Sequence, residues 1–294
     1  MAPDANTGTV CAVVVTYNRR DLLEECIAAL RAQSRKVDRI LVVDNASTDG
    51  TPELIRDSHP DLELLEMPQN EGGAGGFHEG MKRATEEGHD WLWLMDDDTI
   101  PRPDALERLL SALDRMDGLP EPIMLGSKAV WTDGNWHPMN FVGARLADYP
   151  GFLDASTRGL ISVRTVTFVS LLVKSGAVKR YGLPLKNYFI WSDDIEWTAR
   201  VLMHERGYLV ADSVVEHKTK TAHTAPETGE KFYFAIRNGL FLLRSSSFDW
   251  KEKITHTMVV AEQIRRFLIN ERFGLRGWRV LFRGLWHGLT RPAQ

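Results

Sequence analysis

The stretch TVCAVVVTYNRRDLLEECIAALRAQ, residues 9–33, decides the fold class. Its first part, residues 9–17, is a continuous run rich in valine, which predicts a strand buried on both faces of a sheet. Residues 21–33 then place leucine and isoleucine on one helical face, which predicts an amphipathic helix. A buried strand that leads directly into such a helix is the repeating unit of a parallel α/β sheet.

The same alternation continues through the first hundred residues. Further strands are predicted at 39–45, 62–67 and 90–96, with helices from Thr51 and over 76–87 between them. Strands that alternate with short helices predict a Rossmann-like, mostly parallel α/β sheet with flanking helices. Ligands of such sheets bind beyond the carboxyl ends of the strands, so the polar residues that follow each strand are the candidate site.

The alternation loosens in the second half of the chain. The elements predicted there are strands at 163–173 and 209–216, a helix at 191–208, and helical structure from Lys231 onward. We therefore predict two units, an α/β domain over residues 1–225 and a C-terminal helical segment over residues 226–294.

Composition limits the classes of function. The chain of 294 residues has a net charge of −4, which argues against nucleic acid as a partner. Its two cysteines give no disulfide framework and fit a reducing compartment. The first ten residues lack the features of a signal peptide, and no apolar run approaches the roughly 18 residues that span a bilayer. We expect a cytoplasmic location.

The C-terminal end is basic, unlike the chain as a whole. Residues 265–294 contain seven arginines and one acidic residue, Glu271. On a helical wheel one stripe is basic and consists of Arg272, Arg276, Arg279, Arg283 and His287. The opposite side is apolar and consists of Trp278, Leu281, Phe282, Leu285 and Leu289. This pattern predicts a helix that attaches the protein peripherally to the anionic inner face of the cell membrane.

Two other interpretations of this segment remain open. The apolar side could pack on the catalytic domain and leave the arginines in solvent. The four glycines of the segment would also each weaken a helix by about 1 kcal/mol relative to alanine, so the helix could be broken or form only on contact.

Three adjacent carboxylates follow the fourth predicted strand, in WLWLMDDD at residues 91–98. In an extended D-x-D segment the first and third side chains, Asp96 and Asp98, point to the same side. Carboxylate oxygens are the ligands that Mg²⁺ and Mn²⁺ prefer, often together with phosphates. A solvated acidic turn is the alternative, but the position at the end of a buried strand favours a metal site.

Other polar segments also fall after predicted strands. Residues 70–76 contain four glycines but do not match the dinucleotide fingerprint G-x-G-x-x-G, because His78 stands where the last glycine should be. A second acidic group, Asp193-Asp194, precedes a predicted helix. His217 follows a predicted strand and is a candidate ligand for Mn²⁺; His223 is a weaker candidate.

Five segments combine in an order and spacing that is typical of a known family. They are VVVTYNR (13–19), VVDNASTDGT (42–51), NEGGAGGF (70–77), WLMDDD (93–98) and WSDDIEW (191–197). Together they resemble family 2 inverting glycosyltransferases of the GT-A fold. Within that family, the glycine-rich segment, FIWSDD (189–194) and the later His217 resemble the bacterial galactofuranosyltransferases that build mycobacterial-type galactan, and the short chain resembles the initiating enzyme among them.

The resemblance implies a role for individual residues. The residues that would line the uridine pocket are Thr16, Asn18, Arg19 and Asp44. The residues that would bind the rest of the donor are Gly72, Gly73, Asp96 and Asp97. The residues that would hold Mn²⁺ or Mg²⁺ at the diphosphate are Asp96, Asp98 and His217. Asp194 would be the general base. The residues that would lie near the acceptor are Trp131, Trp136, His137, Trp191 and Asp193.

The resemblance also implies an activity. The enzyme would move galactofuranose from UDP-galactofuranose to a polyprenyl-diphosphate-linked glycan, with inversion, in cell-wall galactan synthesis. A rhamnosyltransferase that uses a dTDP-sugar would share the same acidic motifs. A non-catalytic nucleotide-sugar binding module would not need Asp194. A sugar nucleotidyltransferase should carry a glycine-rich basic signature after the first strand, which TYNRRDLL does not provide.

Overall fold

A computed structural model describes residues 8–222 and 229–293. The strands within these ranges are β1 (Val10–Thr16), β2 (Arg39–Asp44), β3 (Glu63–Glu66), β4 (Trp91–Asp96), β5 (Thr99–Pro101), β6 (Pro122–Val130), β7 (Gly143–Ala144), β8 (Leu160–Thr165), β9 (Leu171–Lys174) and β10 (Arg206–His217). The helices are α1 (Arg20–Arg31), α2 (Thr51–Ser58), α3 (Gly72–Glu86), α4 (Ala105–Ser111), α5 (Tyr149–Thr157), α6 (Ser175–Tyr181), α7 (Asp193–Leu202), α8 (Phe232–Arg244), α9 (Trp250–Asn270) and α10 (Leu275–Thr290).

The strands form one central sheet in the order β3-β2-β1-β4-β9-β6-β10-β8-β7, with β5 paired to β10. The pairs among β3, β2, β1 and β4 are parallel, which confirms the α/β fold predicted for the first half. The second half is mixed, because β9 runs antiparallel to both β4 and β6 while β10 runs parallel to β6.

Close packing of α3 on the sheet explains why two positions of this helix are glycine. A Cβ atom at Gly76 or Gly80 would lie 2.5 Å from a methyl carbon of Val15 or Val13. All seven residues of β1 are buried. The first strand therefore lies at the centre of the core, and the start of α3 is held against its carboxyl end.

Three predicted elements have different bounds in the structure. The predicted strand 163–173 is two strands, β8 and β9, separated by a segment in which Ser170 takes a positive φ of 60°. The predicted helix 191–208 ends at Leu202, and β10 already begins at Arg206. The helix predicted over 76–87 begins earlier, at Gly72, so the glycine-rich segment forms the first turns of α3. The predicted boundary between residues 225 and 226, and His223, lie outside the described residues.

The three C-terminal helices pack around a small apolar core of their own. α10 is continuous from Leu275 to Thr290, so its glycines do not break it. Gly284 and Gly288 instead face α8, where a Cβ atom would lie 3.0 Å from Ile236 and 2.7 Å from Leu240. The glycines therefore allow two helices to approach closely.

The exposed side of α10 differs from the predicted two-faced helix. Leu281 is buried, and Trp278 and Leu285 pack against the same core. Phe282, Trp286 and Leu289 are exposed beside the arginines. Basic and apolar side chains thus share the outer surface of α10, because the inner surface is occupied by contacts with α8.

Among the described residues, no helix is both long and apolar enough to cross a membrane.

Candidate active site

The carboxyl ends of β1, β2 and β4 bring the predicted polar residues to one edge of the sheet. The parallel register places Thr16 beside Asp44 and Val15 beside Asp96. Strand pairing alone therefore gathers residues that are up to eighty positions apart in the sequence.

Asp97, the middle residue of the triplet, is held by the end of β1. Its Oδ2 accepts a hydrogen bond of 2.8 Å from the Thr16 hydroxyl, and its Oδ1 accepts one of 3.1 Å from Arg19. The same Arg19 nitrogen lies 2.5 Å from Asp98 Oδ2. Thr16 is buried and its hydroxyl supports the triplet, and its place in the uridine pocket stays a prediction. Arg19 bridges two of the carboxylates and is half-exposed at the rim.

Asp96, Asp98 and His217 form the group of possible metal ligands that the sequence predicts. One potential ligand atom from each lies within 4.8 Å of the other two. The short strand β5 explains this approach, because it pairs antiparallel with β10 and places Thr99 opposite His217. His217 Nε2 lies 3.1 Å from Asp98 Oδ1.

The donor atoms of this group fit a divalent cation. His217 Nδ1 lies 2.8 Å from Asn140 Oδ1, which only accepts, so Nδ1 carries a hydrogen and Nε2 is the nitrogen that faces Asp98. Asp98 Oδ1 is buried and accepts no hydrogen bond among the described residues. A divalent cation between these two atoms would take a lone pair from each of them. Adjacent ligands of an octahedral ion with bonds of about 2.1 Å lie about 3 Å apart, as these two atoms do.

The ionisation of the triplet supports the same interpretation. Burial, together with the charge of Asp98, raises the pKa of Asp96 to about 7. Burial also raises the pKa of Asp97 to about 6, although Arg19 opposes the shift. Burial disfavours the charge on Asp98 as well, but His217 and Arg19 outweigh it and lower its pKa. A divalent cation would relieve the repulsion that these shifts express.

The side chains behind His217 fix its orientation. Asn140 is buried and its Nδ2 donates to the Thr167 hydroxyl at 3.0 Å, which leaves Oδ1 for His217. His137 is also buried. The centre of its ring lies 4.8 Å from that of His217, with the two rings tilted, and its Nε2 lies 2.7 Å from the hydroxyl oxygen of Thr219. Sequence reasoning missed Asn140, because an isolated asparagine carries no signal until the fold places it behind a histidine.

Three residues predicted near the acceptor lie on this side of the site. Burial lowers the pKa of His137 to about 4, and its described contacts include Thr219 and His217, so its place near the acceptor stays a prediction. Trp131 is partly exposed and donates its indole N–H to the carbonyl oxygen of Thr219 at 3.1 Å. Trp136 lies under the ammonium group of Lys128, at 5.0 Å.

Asp44 offers a buried acceptor at the end of β2. It is 1% exposed, and its Oδ2 accepts from the Ser47 N–H at 2.9 Å. Its Oδ1 has no partner within the described ranges. Asn18 closes the neighbouring turn by accepting from the Thr48 N–H at 2.7 Å. An unpaired buried carboxylate oxygen suits the N–H or O–H donor of a ligand, as expected for a residue that reads a base or ribose.

The two glycines predicted to bind the donor have different environments. A Cβ atom at Gly72 would lie 1.9 Å from the carbonyl oxygen of Phe189, so this glycine permits a contact within the protein. A Cβ atom at Gly73 would meet nothing within 4 Å. Asn45 donates to the Gly72 carbonyl at 2.7 Å and ties the segment to the end of β2.

The second acidic pair lies at the N-terminus of α7. Burial and the charge of Asp194 raise the pKa of Asp193 well above its usual value, and Asp96 contributes to that shift. Asp96 of the triplet is therefore close enough to Asp193 for their charges to interact. Burial raises the pKa of Asp194 to about 6. Asp193 is buried, whereas Asp194 and Trp191 are partly exposed.

Comparison with known proteins shows that the first half of the chain is similar to glycosyltransferases. The profile of glycosyl transferase family 2 matches residues 11–155. The galactofuranosyltransferase GlfT1 of Mycolicibacterium smegmatis is 28% identical over 295 residues, which cover 93% of this chain and 95% of that protein. The protein of the same name from Mycobacterium tuberculosis is 44% identical over 94 residues, which cover 31% of each chain.

Solved structures share the fold at low sequence identity. S. aureus TarS 1–349 in complex with UDP-GlcNAc has a TM-score of 0.64 and 15% identity, over 95% of this chain and 80% of that one. The mannosyltransferase PcManGT from Pyrobaculum calidifontis in complex with GDP-Man and Mn²⁺ has a TM-score of 0.60 and 19% identity, over 100% and 84% of the two chains. The fold is that of the GT-A glycosyltransferases.

Replacing Asn140 should weaken metal binding without touching a ligand. Asn140→Ala removes the acceptor that fixes the His217 ring, and the loss of such a supporting contact typically costs about 10–100-fold in metal affinity. We expect this loss in a titration of Mn²⁺ followed by calorimetry in the presence of UDP. Asn135→Ala is the control, because the Asn135 side chain donates to Asp133, two residues earlier, in an exposed turn. Equal Mn²⁺ affinity in Asn140→Ala and wild type would contradict the assignment.

Proposed function

We propose that this chain, a glycosyltransferase with a family 2 domain at residues 11–155, transfers galactofuranose from UDP-galactofuranose to a polyprenyl-diphosphate-linked glycan in galactan synthesis. The observation that carries the proposal is the group of Asp96, Asp98 and His217, together with a second acidic pair, Asp193-Asp194, near enough for the charge of Asp96 to raise the pKa of Asp193. The similarity to a galactofuranosyltransferase along 93% of the chain supports the choice of sugar.

The donor would bind across the edge formed by β1, β2 and β4. Asp44 Oδ1 is available for the uracil or ribose, and the open space at Gly73 admits a close approach to the start of α3. Arg19 stands at the rim beside the triplet, where a diphosphate would meet its guanidinium group.

Asp96, Asp98 and His217 would hold Mn²⁺ or Mg²⁺ at the diphosphate. When bound, such an ion neutralises the charge that develops on the departing diphosphate. Asn140 keeps the His217 lone pair directed at this position, and Arg19 with Thr16 keeps Asp97 and Asp98 in place.

Asp194 would act as the general base. The acceptor hydroxyl loses its proton to this carboxylate as its oxygen attacks the anomeric carbon, and the bond from that carbon to UDP breaks on the opposite face, with inversion. The pKa shifts of the pair support the assignment, since burial and the charge of Asp194 raise the pKa of Asp193 well above its usual value, whereas burial raises the pKa of Asp194 only to about 6. Environments that separate the pKa values of two carboxyl groups commonly distinguish an acid from a base.

The donor assignment is tested by offering several sugar nucleotides together with a lipid-linked disaccharide acceptor and identifying products by mass. We expect a product that has gained a galactofuranose unit from UDP-galactofuranose, and its loss in excess EDTA. Transfer from a dTDP-sugar alone would favour a rhamnosyltransferase. Nucleotide-sugar binding without a product from any donor would favour a non-catalytic module.

The proposed base gives a pH dependence with a definite sign. A base accepts a proton only when it is ionised, so kcat should rise as pH increases through about 6, the pKa of Asp194, and then level off. Asp194→Asn should lower kcat by about 10²–10⁴-fold and leave UDP affinity nearly unchanged. Stopped initial-rate assays between pH 5 and 8 measure the pH dependence of kcat and the loss of kcat in Asp194→Asn. If Asp193→Asn is inactive while Asp194→Asn is not, the roles of the two residues are reversed.

The C-terminal helices would dock the enzyme on the inner face of the cell membrane, where a polyprenyl-linked acceptor resides. The outermost residues of α10 include Leu275, Phe282, Trp286 and Leu289, and Phe282 and Trp286 are 61% and 67% exposed. The exposed Arg279 lies among them on the same side of the helix. Aromatic and leucine side chains flanked by arginine match the interface of an anionic bilayer.

Sedimentation with liposomes tests this docking. Wild-type protein should sediment with vesicles that contain anionic lipid and be released by high salt, because arginine contributes to the attraction. Phe282→Ser combined with Trp286→Ser and Arg279→Glu should remain in the supernatant and still bind UDP. The control changes Tyr149 and Leu153 to serine, since both are exposed apolar residues on α5. Equal sedimentation of the α10 variant and wild type would reject the proposal.

A further inference from the structure

The segment that precedes the proposed base has an unusual backbone. Phe189, Trp191 and Ser192 take positive φ angles of 63°, 64° and 70°. Side chains other than glycine rarely adopt this region, and such residues persist only where their surroundings fix them. The catalytic domain supplies one fixed point, because the Ala74 N–H donates to the Phe189 carbonyl at 3.2 Å. Asp193 and Asp194 follow directly, so the conformation of this segment determines where the acidic pair lies.

Helix α8 supplies the other contacts to the segment. Asn238 is 0% exposed, and its Nδ2 lies 3.1, 2.8 and 2.8 Å from the carbonyl oxygens of Tyr188, Ile190 and Trp191. One amide group thus contacts three carbonyl oxygens of the strained turn, two of them from successive residues. Such an arrangement is specific to this conformation, since an extended backbone would point neighbouring carbonyls to opposite sides.

Arg237 orients the Asn238 amide. Its Nε donates to Asn238 Oδ1 at 2.9 Å, which fixes Nδ2 on the side of the turn. Its Nη2 donates to the carbonyl oxygens of Asn187 and Tyr188 at 2.8 and 2.6 Å. The two residues together hold the backbone from residue 187 to residue 191. They stand in the otherwise apolar run FYFAIRNGLFLL, where a buried polar pair needs such partners.

We propose that Asn238 is a positioning residue for the transfer reaction, which holds the turn at residues 188–192 so that Asp194 and Trp191 face the acceptor. The inference rests on the proposed role of Asp194 as base. It makes the C-terminal helices part of the catalytic apparatus, because the residue that fixes the base belongs to α8.

Asn238→Asp tests the inference with almost no change in size. The substitution replaces the amide donors by a carboxylate oxygen that repels the three carbonyls. We expect kcat to fall about 100-fold, the scale of a misplacement of about 1 Å, with the KM for the donor and the affinity for UDP within about threefold of wild type. Asn238→Ala, which removes the donors without adding charge, should give the same pattern.

Arg244→Ala is the matched control. Arg244 lies on the same helix and donates to the carbonyl oxygens of Gly288 and Arg291, so its loss loosens the contact between α8 and α10 without touching the turn. This variant should keep its kcat. An equal loss in Arg244→Ala would show a general loosening of the helices and overturn the proposal, as would a wild-type kcat in both Asn238 variants.

Hydrogen exchange provides a readout that does not depend on the donor. The peptide covering residues 186–192 should exchange faster in both Asn238 variants and remain unchanged in Arg244→Ala. Unchanged exchange in the Asn238 variants would contradict the inference. If wild-type protein transferred no sugar from UDP-galactofuranose, the proposed function would fail while the exchange experiment still decided the role of Asn238.

Discussion

The repulsion among three adjacent, largely buried carboxylates at the end of β4 is the constraint on which the site depends. Each carboxylate is treated differently by its surroundings. Asp97 accepts hydrogen bonds from Thr16 and Arg19, Asp98 pairs with the same Arg19 and lies beside His217, and burial with the charge of Asp98 raises the pKa of Asp96 to about 7. The protein therefore supplies enough positive charge to hold the triplet in place but not enough to balance it. A divalent cation together with a diphosphate would complete that balance.

The mixed topology of the sheet explains how the remaining groups reach this point. The parallel half presents Asp44 and the triplet, whereas β10 returns along β6 and brings His217 back through its pairing with β5. α7 then adds the second acidic pair at its N-terminus, and Asn238 of α8 contacts the turn that precedes it. The residues proposed for the donor, the metal and the acceptor thus come from three parts of the chain that only the tertiary structure unites.

The sequence predicted the parallel half of the fold well, because buried strands followed by amphipathic helices leave a clear periodic signal. It also predicted the approach of Asp96, Asp98 and His217, through their resemblance to a known family. It missed the break at Ser170 in the predicted strand 163–173, because the residues on either side of the break, Val169 and Leu171, are apolar. It also misjudged the glycines of α10: propensity treats them as weak points, whereas contact with α8 requires them. Asn140 and Asn238 were invisible for a related reason, because a buried asparagine gains its role only from the atoms placed around it.

The central claim is that Asp96, Asp98 and His217 bind one divalent cation that a nucleoside diphosphate completes. Anomalous diffraction at the manganese edge, from crystals grown with Mn²⁺ and UDP, tests it most directly. The account predicts an anomalous peak among these three side chains, next to the diphosphate, and its absence from crystals of Asp98→Asn. UDP bound at the ends of β1 and β2 with no anomalous peak at this position would contradict the account.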